Sequence, residues 1–300
     1  MSVQTASNRE GVRGRPGRRR WRVRLAIAFA AALVVVLVVS GAVVYAAFLR
    51  KPINHPAAFL ARGRAPATRT VVVNAGSSTT HASLSSDYVA MLRERFGDSY
   101  EFVNAGVNGA TSASLLDGLD EIIACRPDAV SVLIGGNDVR DGVPADVFHA
   151  NMDAILRRLR AETGARIAMF SITPYGERLD SAANRAQAPY NAALEDLATA
   201  HEVTYLPLNE TMGAILQRRP SASEPQPPPG PQIDAAVRRF VGRRSWDEIA
   251  AANGLRLLTD HIHLSDQGAT VVADLATHWL AQDGVEISDA PPPPGERRTT

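Results

Sequence analysis

The chain has 300 residues, of which 45% are hydrophobic and 21% charged, with a net charge of +1. That length holds one large domain or two small ones. Cys125 is the single cysteine, which excludes an intrachain disulfide and a thiolate metal cluster. It closes the apolar stretch Ile122-Ile123-Ala124-Cys125 and reads as a small buried side chain, since nothing near it in sequence would activate a thiol.

The near-zero net charge hides an uneven distribution. Arg9, Arg13, Arg15, Arg18, Arg19, Arg20, Arg22 and Arg24 crowd a basic tail over residues 1–24. From Leu25 to Leu49 no residue is charged. As a helix this run would be about 37 Å long, enough to cross a hydrocarbon core of about 30 Å. It ends at Phe48-Leu49-Arg50-Lys51 rather than at a small-residue cleavage site, so it reads as an uncleaved signal anchor. A cleaved secretory signal, with its apolar region of about 7–15 residues, is the competing reading. The arginine excess before Leu25 places the N-terminus in the cytoplasm and the rest of the chain outside. Topology thus accounts for the basic tail, and nucleic acid is not expected as a partner.

Residues 50–67, rich in Pro, Ala, Arg and Gly, read as a linker. Apolar runs then alternate with amphipathic stretches. Strands are expected at 70–74, 100–104, 129–134, 166–172 and 203–207, and helices at 78–96, 112–125, 144–163, 186–201 and 265–282. Alternation of this kind, with near-continuous apolar strands, predicts an α/β fold: a three-layer α/β/α sandwich around a central parallel sheet, spanning 68–284 and preceded by one transmembrane helix. A Pro-rich insertion at 218–253 interrupts the rhythm. It holds Pro220, Pro225, Pro227, Pro228, Pro229 and Pro231, and its second part, 233–253, has helical spacing. It is either a surface loop or a lid that shapes the substrate. Residues 285–300 are expected to be a disordered tail.

Four short motifs carry chemistry. The β-branched run Val71-Val72-Val73-Asn74 breaks at Ala75-Gly76 and delivers Ser77-Ser78 at the mouth of a helix. A serine there is held at the edge of a sheet, where a nucleophile belongs, although many serines begin helices simply as N-caps. Asn104-Ala105-Gly106-Val107-Asn108-Gly109 follows the second strand, and a glycine lets a backbone N–H approach a reacting oxygen. Gly135-Gly136-Asn137-Asp138 follows the third, presenting an amide that can donate to an oxyanion. Each of these two is also an ordinary turn sequence. Last, Asp260-His261-Ile262-His263 precedes the final helix. The spacing of Asp260 and His263 lets a carboxylate hold an imidazole whose other nitrogen serves Ser78. His261, adjacent to Asp260, is placed worse for that pairing.

In this order the motifs resemble the SGNH subgroup of the GDSL family of serine esterases and lipases, over about residues 70–282. The resemblance implies the flavodoxin-like SGNH hydrolase fold, with Ser78 as nucleophile and His263 and Asp260 as base and orienter. It implies an oxyanion hole built from the Ser78 and Gly109 N–H groups and the Asn137 amide. It implies hydrolysis of an acyl or acetyl ester through an acyl-serine, with no metal or organic cofactor, on a small-molecule or cell-envelope substrate. Acyl transfer to a sugar or lipid hydroxyl, or a binding module that kept the fold, are the alternatives. Two departures stand out: Gly76-Ser77-Ser78 replaces the family's G-D-S, and Thr80-His81-Ala82 replaces its T-H-G.

Overall fold

The computed structural model describes residues 17–221 and 223–281; most of the expected basic tail and the whole expected 285–300 tail lie outside them. The chain divides into two compact units at Val44 and Tyr45. In the first, the described element is α1 (Gly17–Val44), whose Ala, Leu and Val side chains are exposed except for half-buried Val43. The helical stretch Arg20–Leu49 is long and apolar enough to cross a membrane by length and composition.

The second unit opens with a π-helical turn (Tyr45–Leu49) and α2 (Pro56–Arg62). It continues through β1 (Thr70–Gly76), α3 (Ser78–His81), α4 (Tyr88–Phe96), β2 (Tyr100–Gly106), α5 (Ser112–Asp117) and α6 (Leu119–Ala124). After these come β3 (Ala129–Leu133), α7 (Gly136–Asp141), α8 (Ala145–Glu162), β4 (Arg166–Phe170), α9 (Ala182–Ala200) and β5 (Thr204–Leu206). The last elements are α10 (Leu208–Gln217), α11 (Gly230–Phe240), α12 (Trp246–Ala252) and α13 (Asp266–Ala281).

All five strands are parallel, in the order β2-β1-β3-β4-β5. Side chains alternate across the sheet as the pleat requires. Val71, Val73 and Ala75 of β1 join one core with Phe59, Leu119, Phe148, Met152 and Leu194, beneath α2, α6, α8 and α9. Val72, Phe102 and Phe170 join the other with Leu92, Met212 and Val272, beneath α4, α10 and α13. Both faces are therefore dry, which is why the strands read as continuous apolar runs. The expected three-layer sandwich is the observed one.

Several expectations on element boundaries need correction. The helix expected at 78–96 is two, because Ala82 takes a left-handed conformation (φ 63°) and the serines after it bond elsewhere. Ser85 Oγ accepts from Leu264 N (2.9 Å) and Ser86 Oγ donates to Asp266 (2.7 Å), and Asp87 then caps α4. Gly118 splits the expected 112–125 helix into α5 and α6. The 233–253 stretch likewise forms α11 and α12, with Ser245 and Glu248 making a capping box between them. The segment expected as a linker carries α2, with Pro56 in its first turn. Phe59 is buried in the core, Arg62 pairs with Glu101, and Asn54 O accepts from Asn104 N (3.1 Å). These contacts hold residues 54–62 against β2.

Candidate active site

β1 lies between β2 and β3, so the chain turns to one side of β1 and then to the other, and ligands collect at such a reversal beyond the strand ends. Gly76, Gly106 and Leu133 are in register there. A Cβ on Gly76 would fall 2.3 Å from Thr80 Oγ1, and one on Gly106 would fall 2.2 Å from His81 N. Only glycine lets α3 seat so closely on the strand ends. Asn104 Nδ2 donates to Thr80 O (2.7 Å), while Asn104 Oδ1 accepts from Gly106 N (2.9 Å). Ser77 is extended (φ −99°, ψ −150°), and Ser78 opens α3, half-buried.

The segment before α13 brings in the other groups. His263 Nε2 lies 2.9 Å from Ser78 Oγ, and its Nδ1 lies 2.7 Å from Asp260 Oδ2. The second carboxylate oxygen, Oδ1, accepts from the N–H groups of His263 (2.8 Å) and Ile262 (3.1 Å). Asp260 and His263 are both buried. Burial alone would push the Asp260 carboxyl up, but the His263 imidazole and the backbone N–H groups outweigh it and hold the carboxyl below the usual range. With an ionised acceptor at Nδ1, that nitrogen carries the ring proton and Nε2 is free to accept from the serine hydroxyl. His261 makes neither bond among the described residues. It sits at φ 71° with its carbonyl accepting from Gly176 N (2.7 Å), and burial lowers its pKa against the pull of Asp260.

Asn137 and Gly109 each line a cavity that Ser78 also lines. Asn137 is buried in the first turn of α7, and its Nδ2 donates to Ala110 O (2.7 Å), which uses one of its two amide hydrogens. Gly109 sits at φ 76°, in a loop that shares a cavity with Ser78 and His263. Among the described residues, no acceptor takes the N–H of Ser78 or of Gly109. The N–H groups of Ser78 and Gly109 and one Asn137 amide hydrogen are thus unspent at the cavities that Ser78 lines.

Three residues missed as site residues in the sequence support this arrangement. Asp138 accepts from Ser112 N (3.0 Å) and Ser112 Oγ (2.5 Å), fastening the loop of Gly109 to the helix of Asn137. Burial raises its pKa despite those bonds. Its signal was present, next to Asn137. Glu177 Oε1 accepts from the N–H groups of Arg256 (2.7 Å), Leu257 (2.5 Å) and Leu258 (2.9 Å), holding the loop that leads to Asp260. Ser85 holds Leu264, one residue past His263. Nothing local in the sequence marks Glu177 or Ser85. Arg140, Ile172, Tyr175 and Ile262 complete the cleft walls beside Ser78 and Asn137.

The family model for the GDSL-like Lipase/Acylhydrolase family matches residues 75–271. The chain is similar to Esterase TesA of Pseudomonas aeruginosa, 32% identical over 133 residues, which is 42% of this chain and 66% of that relative's length. Its fold is similar to that of the acetyl xylan esterase AlAXEase (TM-score 0.55, 20% identity, covering 71% of this chain and 99% of that one). A variant of Axe2, an acetyl xylan esterase from Geobacillus stearothermophilus, superposes equally well (TM-score 0.55, 17% identity, covering 74% and 98%). The family match runs from the end of β1 into the first turns of α13 and includes Ser78, Gly109, Asn137, Asp260 and His263: the chain belongs to the GDSL-like lipase/acylhydrolase family.

Proposed function

We propose that the protein is a membrane-tethered, outward-facing serine esterase that hydrolyses carboxylic esters, acyl or acetyl, through an acyl-serine intermediate. The observation that carries this reading is the relay from Asp260 through His263 to Ser78, at 2.7 and 2.9 Å, with unspent donors on Ser78, Gly109 and Asn137 lining the same cavities. His263 Nε2 takes the hydroxyl proton as Ser78 Oγ attacks the ester carbonyl. The developing oxyanion is held by the N–H groups of Ser78 and Gly109 and by the Asn137 amide. Collapse expels the alcohol, which takes the proton from His263. Water then attacks the acyl-serine, again with His263 as base, and releases the acid. The names of TesA, AlAXEase and Axe2, each an esterase, support the class of bond but not the particular ester. Tethering rests on the apolar Leu25–Leu49 run, and orientation on the arginines before it.

The test is turnover of a short p-nitrophenyl ester together with fluorophosphonate labelling. Ser78→Ala should abolish both. Asn137→Ala should keep its fold and its labelling site while turnover falls about 10²–10³-fold, the usual effect of removing one oxyanion donor. Wild-type turnover in Ser78→Ala would overturn the assignment. Product analysis with an added sugar or lipid hydroxyl separates hydrolysis from acyl transfer.

A further inference from the structure

The helix α11 is inside out for a helix packed on a soluble domain. Its small residues, Ala235 and Ala236, are buried, whereas Ile233, Val237 and Val241 are 52%, 47% and 53% exposed. Those three lie at i, i+4 and i+8, one continuous aliphatic stripe facing solvent. Isolated exposed aliphatics need no explanation, but a stripe along one helix marks a surface that meets something apolar. Its flank is basic: Arg238, Arg239, Arg243 and Arg244 stand against Asp234 alone over residues 230–245. Arg238 pairs with Asp234, Arg239 stacks on Trp246 (5.0 Å) and Arg244 reaches Glu248 (3.3 Å), leaving a net positive face.

The same helix borders the site. A cavity of about 150 Å³ contains Ser78 and His263, and Gln232 of α11, Gly109, Ala47 and Phe48 are among its walls. Ala47 and Phe48 are the last residues but one of the uncharged run that ends at Leu49. Ala47 is fully buried, and Phe48 O accepts from Asn108 Nδ2 (3.4 Å). One wall of the nucleophile's cavity is therefore built from the apolar segment, and another from the first turn of α11. An apolar stripe with arginines beside it is the composition of a helix that lies in a lipid interface, aliphatics in the acyl region and cations at the headgroups.

We propose that α11 rests on an anionic lipid bilayer and that the ester reaching Ser78 is an amphiphile drawn from that bilayer. The substrate half of this inference rests on the esterase reading above; the placement of α11 does not.

The experiment uses the full chain reconstituted in phosphatidylcholine vesicles with and without phosphatidylglycerol. Val237→Cys, labelled with an environment-sensitive fluorophore, reports on the helix directly, because the native Cys125 is buried and escapes labelling. The label should shift to the blue and be quenched by a lipid-borne quencher, more strongly with phosphatidylglycerol. In parallel, the double variant Ile233→Asp/Val237→Asp should retain wild-type turnover of a water-soluble ester. It should lose about tenfold or more on a long-chain ester dissolved in the bilayer. A label that stays water-exposed in both vesicles, or one buried only by self-association in detergent, overturns the placement of α11. Equal loss on both esters, or on neither, overturns the substrate class. Failure of the wild-type protein on every ester overturns the esterase reading and leaves the fluorescence result standing.

Discussion

Asp260 divides its two oxygens between two tasks. Oδ2 takes the imidazole, and Oδ1 takes the N–H groups of Ile262 and His263, so the carboxylate fixes the ring and the backbone beneath it together. Replacing Asp260 with Asn would put an N–H donor where the acceptor stands and favour the wrong imidazole tautomer. Turnover of a short ester by Asp260→Asn should fall about 10⁴-fold, measured as kcat, with soluble expression retained. The same carboxylate sets a pH dependence. Its pKa is held below the ordinary value, so its contribution to stability is present above that ordinary value and is lost as pH falls through the folded one. The difference in Tm between wild type and Asp260→Asn should be largest near neutrality and should shrink below about pH 4. Asp138 has the opposite sign, since its raised pKa favours the folded state as pH falls, and the variant difference cancels its effect. A difference that stays flat from neutral to acid pH would contradict the role given to Asp260.

At the scale of elements, the site depends on a loop that Glu177 holds from outside. One buried oxygen accepts three consecutive N–H groups at 256–258, just ahead of Thr259 and Asp260. Glu177→Ala leaves those donors without an acceptor, at about 1–3 kcal/mol for each that water does not reach. Glu177 is a positioning residue, so the readout is kinetic as well as thermal. Glu177→Ala should lower kcat more than it raises KM, and Glu177→Gln, whose carbonyl can still accept, should recover much of the loss. Equal Tm losses with unchanged kcat would make the role structural only. This loop also marks what the sequence could reveal. β1 to β5 were legible because both sheet faces are dry and leave short, mostly apolar runs. Ser78, Asn137, Asp260 and His263 were legible because each stands beside an element end. The break at Ala82 was not legible, because it is set by Ser85 and Ser86 reaching Leu264 and Asp266, far away in the chain. Glu177 was hidden for the same reason. α2 was hidden by composition: its prolines, alanines and arginines resemble a linker until Phe59 finds the core.

For the whole molecule, the reversal of strand order at β1 makes a site from distant parts. Ser78 follows β1, Gly109 follows β2, Asn137 follows β3, and Asp260 and His263 precede the last helix, so their convergence requires the full sheet. Ala47 and Phe48 extend this dependence to the end of the apolar run, which carries one wall of the Ser78 cavity. Processing that removed them would remove that wall, and the proposed uncleaved anchor keeps it. Anchoring and orientation are then measurable together. Expressed in a bacterial cell, the protein should pellet with membranes, resist carbonate extraction and keep the mass of the uncleaved chain. On the proposed topology, in which the arginines before Leu25 keep the N-terminus inside, a C-terminal alkaline phosphatase fusion should be active. Replacing Arg18, Arg19, Arg20, Arg22 and Arg24 with Gln, while leaving Arg50 and Lys51, removes that bias, and phosphatase activity should drop as a fraction of chains inverts. A soluble product shortened by the length of the apolar run would instead establish a cleaved signal. An unchanged fusion activity in the arginine variant would show that something other than this charge difference sets the topology.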